Sequence, residues 1–62
     1  MNEIEQLLHD VRNPLNNIAM NAELAKLILD SQGDPKRLGT AIDVILKECR
    51  KCGELLDGYQ AD

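Results

Sequence analysis

Apolar residues fall at Ile4, Leu8, Val11, Leu15, Ile18, Ala22, Ala25 and Leu29. The steps alternate between four and three, which is the seam of a helix packed at coiled-coil period. Asn2, with Glu5 three residues on, forms the pattern of a capping box and predicts a start near Glu3. The stretch "DSQGDP" closes that helix. Here Gly33 is expected to take a left-handed C-cap conformation, Asp34 to cap a second helix and Pro35 to fill its first position. The second seam runs Leu38, Ile42, Ile45, Cys49, Cys52, Leu56 and Tyr59, with Gly58 as its stop. Gly39 and Gly53 each weaken that helix by about 1 kcal/mol relative to Ala. Asp43, one turn before Lys47, is expected to form a favourable exposed pair.

The pattern predicts helix one over about 3–30, a turn at about 31–34 and helix two over about 35–57, with no strand. The fold class is all-α: an antiparallel two-helix hairpin forming one domain over residues 1–62. A chain of 62 residues buries little apolar surface by itself. Two helices cannot enclose two apolar stripes, so the hairpin is expected to homodimerise into a four-helix bundle.

Composition narrows the functions open to such a hairpin. Hydrophobic residues make up 44% of the chain, yet the aromatics reduce to one Tyr, which leaves no stacking platform for bases. The net charge of −4 argues against nucleic acid and against direct contact with an anionic membrane. No apolar run reaches the length of a membrane span and no signal segment opens the chain. A cytoplasmic location is expected, either free or as the cytoplasmic part of a membrane receptor. The two cysteines are then reduced thiols. "CRKC" (Cys49 to Cys52) invites a metal or redox reading, but both residues fall on the helix-two seam, where small apolar side chains belong. A zinc ion would need further ligands and His9 is on the wrong face, so no metal site is expected. Lys47, Arg50 and Lys51 read as a solvated basic face, with contact to an acidic partner as the alternative.

The chemistry concentrates in "HDVRNPL", residues 9–15. At 100° per residue His9 lies about 150° from the seam, facing solvent, with Asn13 and Asn16 along the same face. Asp10 can accept from one ring nitrogen, fixing the tautomer and leaving the other nucleophilic, provided suitable rotamers bring the two side chains together. Asn13 can orient a water or a phosphoryl oxygen over the ring, and Arg12 adds positive charge for an anionic group. Pro14 cannot donate to the Asp10 carbonyl, so a bend is expected just after His9.

These seven residues resemble the H-box of bacterial sensor histidine kinases, in the HisKA-type dimerisation and histidine-phosphotransfer domain. All seven positions fit the pattern of His, acid, aliphatic, basic, Thr or Asn, Pro and aliphatic. The likeness extends through the hairpin to the returning helix ending "ELLDGY". It implies that His9 is phosphorylated on a ring nitrogen, with Asp10 as hydrogen-bond acceptor or general base. It implies further that Asn13 positions water for dephosphorylation of the partner, and that Pro14 is the family's conformational bend. ATP and magnesium are implied on a separate catalytic domain, with no cofactor bound by this chain. The phosphoryl group is implied to pass to an aspartate of a response-regulator receiver domain.

No ATP-binding motif accompanies the H-box. The chain is therefore expected to be part of a protein-histidine kinase that cannot autophosphorylate alone. Two alternatives remain open: a stand-alone histidine phosphotransfer protein, and a non-catalytic hairpin that binds or inhibits a kinase. The outward face below His9 runs through Asn16, Asn17, Met20, Asn21, Leu24 and Leu27. Apolar residues rimmed by amides suit a transient interface, and the resemblance places receiver recognition there. Flanking the core is the competing role for Met20, Leu24 and Leu27.

Overall fold

The computed structural model describes residues 2–59; Met1 and residues 60–62 of the expected domain lie outside the described residues. Two helices make up the fold, α1 over Glu3–Asp30 and α2 over Pro35–Asp57. They pack against each other as an antiparallel hairpin, the expected all-α architecture, in a rod of 49 × 16 × 11 Å. Local sequence sets each boundary. The Asn2 side chain accepts from the Glu5 backbone N–H at 2.7 Å, and Asp34 accepts from Lys36 N–H at 2.9 Å with Pro35 opening α2. Each supplies an acceptor to a helix N-terminus that lacks one. Gly58 is the C-cap of α2, its N–H donating to the Glu54 carbonyl at 3.0 Å.

The turn departs from expectation at one residue. Gln32, not Gly33, takes the left-handed conformation, with φ 54°, and no glycine has positive φ among the described residues. The hydrogen bonds explain the shift. Gly33 N–H donates to Ile28 O at 2.7 Å and Gln32 N–H to Leu29 O at 3.2 Å, the paired bonds of a Schellman motif, whose left-handed residue is the one after the cap. Gly33 is small for another reason: a Cβ there would stand 3.2 Å from Ile28 Cγ2. A non-glycine residue in the left-handed region costs roughly 1–2 kcal/mol. Gln32→Gly should therefore raise stability by about 1 kcal/mol in thermal or denaturant unfolding. An unchanged or lower midpoint would show that Gln32 is not strained.

The line along which the helices meet also differs from the expected seam. On α1 the buried and half-buried positions are Leu7, Asp10, Val11, Pro14, Ile18, Asn21, Ala25 and Ile28; on α2 they include Leu38, Ala41, Ile45, Glu48, Cys52 and Leu55, with Tyr59 just past its end. Half of the expected seam, at Ile4, Leu8, Leu15, Ala22 and Leu29 with Ile42, Cys49 and Leu56, is exposed. Each of these exposed residues follows the contact line by one position or extends that row toward the helix end. One residue turns a helix by about 100°, and in antiparallel helices the same forward step turns both toward one side. The hairpin thus carries a single continuous apolar face beside its own helix–helix contact.

The enclosed core is correspondingly small. Ile28 at 6% exposure and Ala41 at 2% are the buried hydrophobic residues, and no large side chain is fully buried. The accessible surface is 5015 Å², where a folded monomer of this size is expected to show about 4,000 Å². Pro14 is buried against α2, and α1 continues without interruption across it. The Asp43–Lys47 pair does not form; among the described residues the ion-pair contacts are His9–Asp10 and Lys51–Glu48.

Candidate functional site

His9 sits in the second turn of α1, toward the open end of the hairpin. Its side chain is 64% exposed, because its place on the helix points away from both the α2 contact and the apolar face. Asp10, one residue on, turns toward α2 and is half-buried. Its carboxylate nevertheless reaches back: Asp10 Oδ1 stands 3.3 Å from His9 Nδ1. With the ring neutral, that contact requires the proton on Nδ1, which leaves the Nε2 lone pair free for chemistry. The same Oδ1 accepts from Gln6 Nε2 at 2.9 Å. Gln6 had no part in the reading of the sequence. The signal was available, since Gln followed by Asp four residues later is a known helix-surface pair.

Two grooves run between the helices beside this group. One, of about 460 Å³, is lined by Gln6, Leu7, Asp10, Glu54, Leu55 and Tyr59 among others. The next, of about 390 Å³, is lined by Asp10, Asn13, Pro14, Lys51, Glu54 and Leu55. Asp10 and Glu54 border both, so the groove walls carry facing carboxylates. Arg12 and Asn13 are exposed, with Asn13 at the edge of the second groove.

Below the site the outward residues divide. Asn16, Met20, Leu24 and Leu27 are exposed. Asn21 is half-buried, donating to Asn17 O at 2.8 Å, and so belongs to the α2-facing side. Asn17 is exposed but donates to Glu48 Oε1 at 3.1 Å. Glu48, only 7% exposed, is the buried charge that the apolar pattern passed over. It lies midway between Ala41 and Leu55, seven residues from each, on the line facing α1. Its Oε2 has no hydrogen-bond partner, although Lys51 Nζ stands 3.5 Å away. Cys49 is exposed, Cys52 is half-buried, and both thiols are free. The expected packing of Cys49 is thus absent within the hairpin. Among the described residues no three His, Cys, Asp or Glu side chains are placed to share a metal ion, and no helix is long and apolar enough to cross a membrane.

The family model of the His kinase A (phospho-acceptor) domain matches residues 2–59. The chain belongs to this family. The match runs from the cap of α1 to the end of α2, so the His kinase A fold accounts for the whole described hairpin. Searches of curated proteins and of solved structures found no match. As a His kinase A domain, the chain is the phosphoacceptor type of module found in histidine kinases of two-component signalling.

Proposed function

We propose that this chain is the phosphoacceptor and dimerisation part of a two-component histidine kinase, phosphorylated on His9 and passing the phosphoryl group to a receiver-domain aspartate. The observation that carries the reading is the exposed His9 ring with Nδ1 against Asp10. Such a ring presents Nε2 to a donor approaching from solvent. ATP with magnesium, held by a separate domain, supplies the phosphoryl group. In this chain the Asp10 carboxylate accepts from Nδ1–H and stabilises positive charge on the ring as the new N–P bond forms. Arg12 adds a positive charge near the incoming anionic group. Asn13, one turn along, is the residue that positions water when the partner is dephosphorylated. Pro14 leaves the Asp10 carbonyl without its helical donor and lets the His9 segment bend relative to the rest of α1.

The apolar face calls for a second copy. Leu8, Leu15 and Leu29 of α1 and Ile42 and Leu56 of α2 lie along it, and two such faces brought together complete a four-helix bundle. His9 stays outside that contact. The exposed Asn16, Met20 and Leu24, with the amides of Asn17 and Asn21 at their edge, form the surface on which the receiver docks. The nucleotide donor and the two free thiols both suit a cytoplasmic setting.

The test is to incubate the chain with a histidine-kinase ATP-binding domain and labelled ATP. Label that is acid-labile, base-stable and mapped to His9 is expected. Label arriving only from a phosphorylated receiver would replace the kinase reading with a phosphotransfer shuttle. Absence of label by either route would overturn the phosphoacceptor role.

A further inference from the structure

Neighbouring side chains on a helix diverge by about 100°, so adjacency does not by itself bring Asp10 to His9. The Asp10 carboxylate also borders two grooves shared with the like-charged Glu54. Something must select the rotamer that turns Asp10 Oδ1 toward the ring. Gln6 makes the shorter of the two contacts to that atom, 2.9 Å against 3.3 Å for His9 Nδ1. Its amide approaches from one turn earlier on the same strip of α1, the spacing at which Gln and Asp pair on a helix surface. An amide N–H is a donor only at its nitrogen and stays uncharged. It can therefore hold the oxygen in place without neutralising the charge that Nδ1–H needs.

We propose that Gln6 is a positioning residue for the phosphoacceptor, fixing Asp10 so that the His9 proton resides on Nδ1 and Nε2 is the nucleophile. This rests on the proposed role of His9. In the transfer step the Nε2 lone pair forms the N–P bond as the bond from phosphorus to the donor's leaving group breaks. The leaving group departs with that electron pair. The ring becomes a phosphoimidazolium whose Nδ1–H remains bonded to Asp10 and then releases its proton to that carboxylate or to solvent. The Gln6 amide neither gains nor loses a proton at any point; it acts through Asp10 alone.

The tautomer is directly observable. Long-range ¹H–¹⁵N correlation spectra of the labelled chain, recorded at about pH 9 where imidazole is neutral, should show the Nδ1–H form in the majority. Gln6→Ala should lower the ratio of Nδ1–H to Nε2–H about threefold, the scale of one exposed hydrogen bond. Gln6→Glu, which keeps the length but replaces the donor with an acceptor, should lower it at least as far. Thermal unfolding should not move, because Gln6 is exposed. An unchanged ratio in Gln6→Ala, or a proton found mainly on Nε2 in the parent chain, overturns the proposal. Phosphoramidate, a small phosphoryl donor, is then applied to the same samples. A chain with the expected tautomer shift that takes no phosphoryl group counts against the role of His9 and leaves the Gln6–Asp10 coupling standing. A chain that is phosphorylated with no tautomer shift counts against Gln6 alone.

Discussion

His9→Gln is expected to abolish phosphoryl uptake, lowering labelling from ATP by on the order of 10³-fold or more, the scale seen when a nucleophile is removed. The chain has one histidine, so no second imidazole can take over. Gln keeps much of the polar volume, and the position is 64% exposed, which confines the stability change to about ±0.5 kcal/mol. A variant that stays folded and dimeric yet carries no label separates chemistry from architecture. Persistent acid-labile label on the variant would place the phosphoryl group elsewhere. Retention of full biological effect would instead favour a hairpin that acts only by binding.

Leu15→Asp is expected to abolish the proposed pairing of two hairpins. Within one hairpin Leu15 is 53% exposed, and a charge there would cost little if the chain acted alone. It sits on the apolar face between Leu8 and Ala22, one position after the buried Pro14. In a paired hairpin the aspartate would be desolvated without a partner, and the lost leucine contacts add to that penalty. The expected cost is about 2–4 kcal/mol per chain. Sedimentation should show monomer, and the melting temperature should lose the dependence on protein concentration expected of the paired parent. Leu27→Asp is the matched control. Leu27 is comparably exposed at 65% but turns toward the opposite side of the hairpin, so its dimer should survive. Identical behaviour of the two variants would dismiss the proposed interface.

Much of this was legible in the sequence because it depends on period and caps. Asn2, Asp34, Pro35 and Gly58 each act at a helix end through their own backbone neighbourhood, which spacing shows directly. The exposure of His9 follows from the same arithmetic. The division of the seam was less accessible. A run of apolar residues at steps of four and three marks a face about 100° wide or more, and it does not reveal which edge meets the chain's own second helix and which is left over. Asn21, read as outward-facing, and Pro14, read only as a bend, both help to make that contact. Glu48 escaped for a related reason: a hydrophobicity pattern omits a carboxylate, however well buried. The turn misled through composition. Glycine marks left-handed positions statistically, but here the hydrogen-bond ring assigns that conformation to Gln32, and a Cβ on Gly33 would only crowd Ile28 Cγ2 at 3.2 Å. Gln6 lay outside the seven-residue motif that drew attention to His9.

The distribution of packing along the hairpin has a mechanical consequence. The buried apolar contacts, Ile28 and Ala41, lie near the turn, while the space between the helices opens into grooves near Asp10 and Glu54. In a hairpin of this shape the two arms act as levers about the closed end. His9 rides on one arm, about 32 Å above Asp30 along the helix axis. A change of about 5° between the arms at the closed end would carry the imidazole sideways by about 3 Å, from that axial rise. That is enough to bring a reactive nitrogen into or out of reach of a donor, with no contact near the ring having to change first.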